Sequence, residues 1–112
     1  MNRISIFVLA CALASSAVCS QGYPTKSVRY IVPSLPGGGS DIVGRMLAAH
    51  LSQTFKQQVV VDNRAGGGGN IGADIAAKSA PDGHTIFQMA VTHAINVTLY
   101  KNLGYDIVRD FT

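Results

Sequence analysis

This 112-residue sequence lacks several residue types on which many kinds of protein site depend. It contains no tryptophan and no glutamate, and its two cysteines, Cys11 and Cys19, lie in the first twenty residues. The rest of the chain therefore has no thiol, which excludes a disulfide framework and cysteine chemistry there. The absence of glutamate leaves aspartate as the only carboxylate side chain for acid–base catalysis or metal binding.

Charged residues are also sparse, at 13% of the chain. Nine lysines and arginines stand against six aspartates; without Arg3, in the N-terminal segment, eight against six leave a net charge of about +2. The basic residues form no run or stripe, so the sequence does not predict nucleic-acid binding. The three histidines, at positions 50, 84 and 93, lack the spacing of metal ligands, so no metal site is predicted.

The N-terminal segment has the layout of a secretory signal peptide. A short basic start precedes an apolar run, residues 4–18, that is too short to span a bilayer comfortably, and small residues follow. We expect residues 1–20 to be removed by cleavage after Ser20, or after Cys19, and residues 21–112 to reach the periplasm. Two alternatives stay open: a buried N-terminal helix, and lipid attachment at one of the cysteines, whose flanks loosely match lipid-attachment boxes.

Beyond residue 20, strand-like and helix-like segments alternate along the chain. Short β-rich runs predict strands, and apolar residues at four-residue spacing predict helices. The predicted strands cover residues 28–32, 59–61 and 85–90, and the predicted helices cover 40–55, 71–80 and a segment from 92 or 93 to 100. This β-α-β-α-β-α order indicates an α/β fold with a parallel sheet and right-handed crossovers.

Two of these segments contain apolar residues that we expect to be buried. The first helix has an apolar stripe, which we expect to be its buried face, at Val43, Leu47, Leu51 and Phe55. The second strand, residues 59–61, is apolar throughout, as expected of a strand covered on both faces. An exported chain without disulfides must depend on such a core.

Two glycine-rich loops, residues 36–41 and 66–72, each precede a predicted helix. A helix start presents unpaired N–H groups and the positive end of the peptide dipole, and glycine lets a ligand approach the backbone. We expect Ser40 and Asn70 to cap these helices, with Asp41 placing a negative charge in the first turn. The loops therefore predict a site in which main-chain N–H groups hold a small anion without catalysis.

A third turn, residues 91–93, follows the last predicted strand. In a parallel sheet all three segments lie at the carboxyl edge, where ligands bind. Alternatives stay open for each: a glycine loop is also a common tight turn with nothing bound. Asp41 either complements the helix dipole or contacts the ligand, and His93 is either a cap or packing residue or a ligand contact.

Three catalytic or nucleotide-binding motifs fit the glycine loops less well. Gly67-x-Gly69-x-x-Gly72 matches the dinucleotide fingerprint, but residues 62–65 separate it from its strand, and that strand is the second. Neither loop is followed by the Lys-Ser/Thr of a P-loop. Residues 38–42 do not form a nucleophile elbow, because the final glycine of that motif is missing.

Several motifs, taken in order, match one family. They are Tyr23-Pro24-Thr25-Lys26, Ile31-Val32-Pro33, Pro36-Gly37-Gly38-Gly39-Ser40-Asp41, Val59-Val60-Val61-Asp62-Asn63-Arg64, Gly68-Gly69-Asn70-Ile71-Gly72, Pro81-Asp82-Gly83 and Thr92-His93-Ala94-Ile95-Asn96. The sequence thus resembles the Bug-type extracytoplasmic solute receptors of tripartite tricarboxylate transporters, over essentially all of its length beyond residue 20. The resemblance implies a periplasmic binding protein-like (type II) fold, with two α/β domains and a ligand cleft between them.

The resemblance also implies a small carboxylate as ligand, membrane permease subunits as partners, and no cofactor, metal or reaction. Backbone N–H groups and small hydroxyl side chains grip the carboxylate in this family. The matching positions here are Ser34, Gly38, Gly39, Ser40, Asp41, Gly69, Asn70, Thr92 and His93. Ser34-Leu35 replaces a frequent aromatic–proline pair, so the identity of the carboxylate does not transfer.

The chain is much shorter than members of the family. The resemblance therefore implies that residues 21–112 are the N-terminal part of the first domain, incomplete, with the opposing wall of the cleft missing. We expect ligand binding by this chain alone to be impaired. Two alternatives of another class stay open: a fragment of an exported α/β enzyme, such as a hydrolase or transferase, and a truncation product without function.

Overall fold

A computed structural model describes residues 22–111, so the predicted signal peptide lies outside the described residues. Three parallel strands form one sheet in the order β2-β1-β3: β1 (Val28–Val32), β2 (Val59–Asn63) and β3 (Thr85–Phe87). The helices are α1 (Gly39–Phe55), α2 (Asn70–Ala77) and α3 (Val91–Leu99), with a 3₁₀ turn (Gly67–Gly69) before α2. The predicted β-α-β-α-β-α order and parallel sheet are confirmed.

The register of the sheet brings the carboxyl ends of the strands together. Val32 at the end of β1 pairs with Asn63 at the end of β2, and Ile31 pairs with Phe87 at the end of β3. Adjacent strands lie about 4.8 Å apart. The three loops that follow the strands therefore begin side by side at one edge of the sheet.

One face of the sheet packs against α1 and forms an aliphatic core. Val28, Tyr30 and Val32 of β1 point to this face, where they meet Ala48 of α1 and Val59 of β2. Val28 and Val32 are completely buried. Burying a valine of this kind contributes about 1.5–3 kcal/mol, so the central strand is well anchored.

The opposite face packs against α2 and α3 and is more aromatic and polar. Ile31 and Ala73 are fully buried there. The ring of Phe87 lies edge-on to that of His93, with centroids 5.1 Å apart, and stacks on Phe111 at 5.5 Å. This face contains the side chains that reach the second glycine loop.

The buried face of α1 differs from the predicted stripe. Small residues, Gly44 and Ala48, face the sheet together with Asp41, whereas Val43 and Leu47 are 50% and 45% exposed. A Cβ on Gly44 would lie 2.8 Å from a methyl group of Val32, so the helix approaches the strand too closely for a larger side chain. The prediction is right only toward the helix end, where Leu51 and Phe55 are half-buried.

The strands also differ from their predicted form. β3 ends at Phe87 instead of residue 90, although the backbone N–H of Gln88 still donates to the carbonyl of Ile31 at 2.9 Å. Val60 is 45% exposed, so β2 is not covered on both faces in the described part of the chain. None of the helices within residues 22–111 is long and apolar enough to cross a membrane.

Candidate functional site: three loops at the carboxyl edge of the sheet

The first loop leads from β1 into an α1 start that no side chain of residues 22–111 caps. Gly37 turns the chain with φ +85°, and Gly38 occupies the N-cap position. The first helical hydrogen bond runs from the N–H of Ile42 to the carbonyl of Gly38, at 3.0 Å. The N–H groups that precede it, those of Gly39, Ser40 and Asp41, have no place in the intrahelical ladder.

Ser40 therefore does not cap α1, contrary to the prediction. It lies in the first turn, one residue past the helix start at Gly39, while Gly38 takes the extended N-cap backbone conformation, with φ −77° and ψ 165°. Gly38 has no side chain that could bond the first-turn N–H groups. The start of α1 is consequently open to an external acceptor.

Asp41 is buried and fastens the first loop to the rest of the edge. Its Oδ2 accepts from the backbone N–H of Gly37 and from Nε of Arg45, both at 2.9 Å, and its Oδ1 accepts from Nδ2 of Asn63 at 2.9 Å. The hydrogen bond from Arg45, followed by those from Gly37 and Asn63, lowers the pKa of Asp41 to about 2. Both carboxylate oxygens thus already have protein donors.

Two buried polar atoms beside this loop lack partners. Oγ of Ser34 and Oε1 of Gln88 have no hydrogen-bond partner among residues 22–111. The carbonyl of Ser34 accepts from Nδ2 of Asn63 at 3.1 Å, and Nε2 of Gln88 donates to the carbonyl of Ser40 at 3.1 Å. A buried hydroxyl without a partner costs free energy, so each such atom needs an explanation.

The second loop is a run of four glycines in the left-handed region. Gly66, Gly67, Gly68 and Gly69 have φ of +119°, +58°, +65° and +91°. The N–H of Gly69 donates to the carbonyl of Gly66 at 3.0 Å, and the N–H of Asn70 donates to that of Gly67. These two N–H groups are therefore engaged within the loop.

Asn70 begins α2 but does not cap it, so the predicted cap at this helix is also wrong. Gly69 takes the N-cap position, and the side chain of Asn70 turns instead toward the end of the described chain. Its Oδ1 accepts from Nδ2 of Asn96 and from the hydroxyl of Tyr105, each at 2.8 Å. With its oxygen engaged, the amide of Asn70 retains its NH₂ group as a possible donor.

The third segment places His93 beneath the second loop. His93 is fully buried. Its Nδ1 lies 3.0 Å from the N–H of Ala90 and its Nε2 lies 3.2 Å from the carbonyl of Gly69. Nδ1 also lies 3.1 Å from the carbonyl of Ala90, whereas the partner of Nε2 is an acceptor, so Nε2 donates to Gly69.

The structure places the predicted residues at one edge of the sheet, where they differ in solvent exposure. Pro33 links the loops, since a Cβ on Gly69 would lie 3.5 Å from it and a Cβ on Gly72 would lie 3.3 Å from it. Gly38, Gly39 and Thr92 are exposed, Ser34, Ser40 and Asn70 are half-buried, and Asp41, Gly69 and His93 are buried. Six of the nine predicted residues are therefore exposed or half-buried at this edge, although the Oγ of Ser34 itself is buried.

Sequence reasoning missed four residues that organise this edge: Arg45, Asn63, Gln88 and Asn96. Asn63 is the last residue of β2 and Gln88 directly follows β3, and a polar residue at the carboxyl end of a strand was the available signal. Arg45 lies four residues after Asp41, the helical spacing of an ion pair. Within residues 22–111, no group of three or more His, Cys, Asp or Glu side chains is arranged to hold a metal ion.

Comparison with known proteins gives consistent matches. A family model described as "Tripartite tricarboxylate transporter family receptor" matches residues 43–112. Protein BugT of Bordetella pertussis (strain Tohama I) is 38% identical over 109 residues, which cover 96% of this chain and 33% of BugT. The chain spans about a third of the length of the curated relatives it matches.

Several solved structures share the fold, including two with a bound carboxylate. MatC from Rhodopseudomonas palustris, with bound malate, is 36% identical and has a TM-score of 0.76, over 80% of this chain and 31% of MatC. R. palustris Rpa4515, with adipate, is 35% identical and has a TM-score of 0.68, over 77% of this chain and 29% of Rpa4515.

Proposed function

The chain belongs to the tripartite tricarboxylate transporter receptor family, and on that premise we propose that it supplies one wall of a carboxylate-binding cleft in an extracytoplasmic solute receptor. Residues 21–112 would be the N-terminal part of the first domain, preceded by a signal peptide over residues 1–20. The receptor would work in the periplasm, deliver its ligand to membrane permease subunits, and catalyse no reaction.

The main support is the open start of α1 next to the buried, partnerless hydroxyl of Ser34. A carboxylate is the natural partner for both. The N–H groups of Gly39 and Ser40 can donate to its oxygens, and hydrogen bonds to a charged acceptor are about twice as strong as neutral ones. The helix dipole adds about 0.3–1 kcal/mol for a negative charge at this position.

The other two segments would contribute side chains. In the second loop, the NH₂ group of Asn70 is the proposed donor, because the backbone N–H groups of Gly69 and Asn70 bond within the loop. In the third segment, the exposed hydroxyl of Thr92 is the proposed contact. Malate in MatC and adipate in Rpa4515 both have two carboxylates, which favours a dicarboxylate as the ligand class here.

A nearby aspartate does not argue against an anion site. The carboxylate of Asp41 is balanced by Arg45 and surrounded by donors from Gly37 and Asn63. Its function in this proposal is to hold the loop in shape from below. A non-catalytic role is also supported by His93, whose ring nitrogens both have backbone partners and so are not placed to activate a nucleophile.

The test is a chimera in which residues 22–111 replace the matching segment of MatC, titrated calorimetrically with malate and adipate. Ser34→Ala should weaken binding about tenfold, the usual effect of losing one hydrogen bond to a charged group. The unfolding midpoint of the ligand-free chimera should rise slightly, because a buried hydroxyl without a partner is removed. The matched control is Ser79→Ala: Ser79 lies just past the end of α2, and its hydroxyl donates to the carbonyl of Ile75, at the opposite end of the helix from the glycine loop.

A folded chimera that binds neither acid, or a Ser34→Ala variant that binds as well as its parent, would contradict the proposal. The chain alone, from residue 21, should give little heat with either acid, because clefts of this kind close between two domains. Tight binding by that segment would show that a second domain is not needed.

A further inference from the structure

We propose that His93 and Asn96 of α3 are positioning residues: they fix the second glycine loop through its carbonyl groups without touching the carboxylate. The inference concerns the proposed carboxylate site and therefore rests on the proposed function. It assigns a role to two buried polar side chains, 0% and 6% exposed, that the ligand contacts leave unexplained.

The second loop has little of its own to keep it in shape. Four successive glycines lose more conformational entropy on folding than any other residues, each by about 0.5–1 kcal/mol relative to alanine. The loop's own hydrogen bonds are confined to the short turn around Gly66 and Gly67. No side chain within the described part of the chain caps α2. The order of this loop must therefore come from outside it.

His93 supplies one external contact. Its ring joins the N–H of Ala90, at the start of its own helix, to the carbonyl of Gly69 in the loop. The edge of Phe87 fixes the orientation of the ring. A Cβ on Gly69 would lie 2.7 Å from Nε2 of His93, so the loop backbone rests directly on the imidazole.

Asn96 supplies the second contact, one helical turn later. Its Nδ2 donates to the carbonyl of Gly68 at 3.0 Å and to Oδ1 of Asn70 at 2.8 Å. His93 and Asn96 are three residues apart, so they share one face of α3 and reach successive carbonyls. Because a peptide unit is planar, fixing these carbonyls fixes the two peptide planes that lead into α2 and the proposed donor Asn70.

Two substitutions of His93 separate its two hydrogen bonds. His93→Asn keeps an acceptor near the position of Nδ1 for Ala90 but is too short to reach Gly69, whereas His93→Gln keeps a donor near the position of Nε2. Glutamine is close to histidine in volume, whereas asparagine is one methylene smaller, so His93→Asn leaves the larger void and should lower the unfolding midpoint more. A purely structural role predicts that nothing else distinguishes them.

The readout is amide hydrogen exchange in the full chain, comparing Gly69 with the sheet amide of Arg29, which donates to the carbonyl of His84 at 2.8 Å. We expect His93→Asn to accelerate exchange at Gly69 about tenfold relative to Arg29. His93→Gln should keep the ratio of the parent chain. Equal acceleration at both amides, or the same ratio in the two variants, would overturn the proposal.

Asn96→Asp provides an independent arm, since it keeps the shape of the side chain and removes the donor. Its control is Asn102→Asp, at an exposed position. Exchange at Gly69 should accelerate in the first variant and not in the second; no difference between them would contradict a positioning role for Asn96.

Malate titration of the MatC chimera separates this inference from the proposed function. If positioning is correct and the site binds carboxylates, His93→Asn should bind malate about tenfold more weakly than His93→Gln. Equal malate affinities in these two variants, with Ser34→Ala impaired, would overturn the inference alone. Loss of loop order without any effect of Ser34→Ala would instead overturn the proposed function and leave the positioning role standing.

Discussion

The two glycine loops lie at the same edge of the sheet but are held in opposite ways. The first is held by charge: the Asp41 carboxylate gathers donors from Gly37, Arg45 and Asn63. The second is held by the left-handed conformation of its four glycines and by His93 and Asn96, which donate to the carbonyls of Gly69 and Gly68. Two loops of similar glycine content are therefore stabilised by different interactions.

This difference separates the loops by chemical task. The first loop is stabilised by the Asp41 side chain, which does not bond the first-turn N–H groups of α1 and so leaves them open. In the second loop the backbone N–H groups of Gly69 and Asn70 are used for the turn itself. The first loop is thus suited to bind a charge, and the second to place a side chain.

The largest effect that we expect to distinguish the two loops comes from adding one methyl group to each. Gly69→Ala should destabilise the chain by about 3 kcal/mol, because left-handed strain of about 1–2 kcal/mol adds to overpacking against His93. Gly37→Ala has a similar φ, +85°, but its Cβ would meet nothing within 4 Å among residues 22–111. Its cost should be the strain alone, about 1 kcal/mol.

Urea unfolding of the two variants beside the parent chain gives both values. The difference between them isolates the steric contact with His93, since the backbone strain is nearly shared. Equal destabilisation of the two variants would mean that the second loop is not pressed against α3, and the contrast between the loops would lose its structural basis.

Lowering the pH should also distinguish the two loops, with a smaller effect on stability. The pKa of Asp41 is lowered to about 2 from an ordinary 3.8. A carboxyl whose pKa falls on folding contributes stability that is complete above the unfolded pKa and is lost as the pH falls through the folded pKa. Protonation of Asp41, between about pH 4 and pH 2, should therefore release the first loop.

The amide of Gly37, which donates to Asp41, should shift in NMR spectra with a midpoint near pH 2. The amide of Gly69 should stay constant over the same range while the sheet amides remain protected, because its bonds involve no carboxylate in the described chain. Asp41→Asn is the control and should abolish the Gly37 titration. Parallel titration of both amides in the parent chain would contradict the charge-based account of the first loop.

The outline of the fold was predictable from the sequence because it depends on local patterns. Short β-rich runs and apolar periodicity were enough to predict the alternating elements and the parallel sheet, and hence to place the loops at one edge. The spatial order of the strands, β2-β1-β3, was not predicted. The segment matched by the family model also begins within α1 and includes the second loop.

What could not be predicted depends on how closely elements approach. Gly44 lets α1 lie against Val32, and this contact turns Val43 and Leu47 away from the sheet. Ser40 and Asn70 have the residue types of helix caps, yet glycines take both N-cap positions. The ligand-binding roles of the individual residues stay predictions, and the burial of His93 follows from a contact 24 residues away in the chain, which no local pattern encodes.

The smallest expected effect tests the open helix start directly. Gly38→Ser would place a hydroxyl at an N-cap whose backbone, φ −77° and ψ 165°, already suits serine, and its Cβ would lie an ordinary 3.4 Å from the carbonyl of Leu35. The hydroxyl should bond a first-turn N–H and stabilise the chain by only a few tenths of a kcal/mol. In the MatC chimera the same hydroxyl would compete with the carboxylate for that donor. Malate affinity should therefore fall while the unfolding midpoint rises slightly. A variant that gains stability and keeps its full affinity for malate would show that the start of α1 does not bind the ligand.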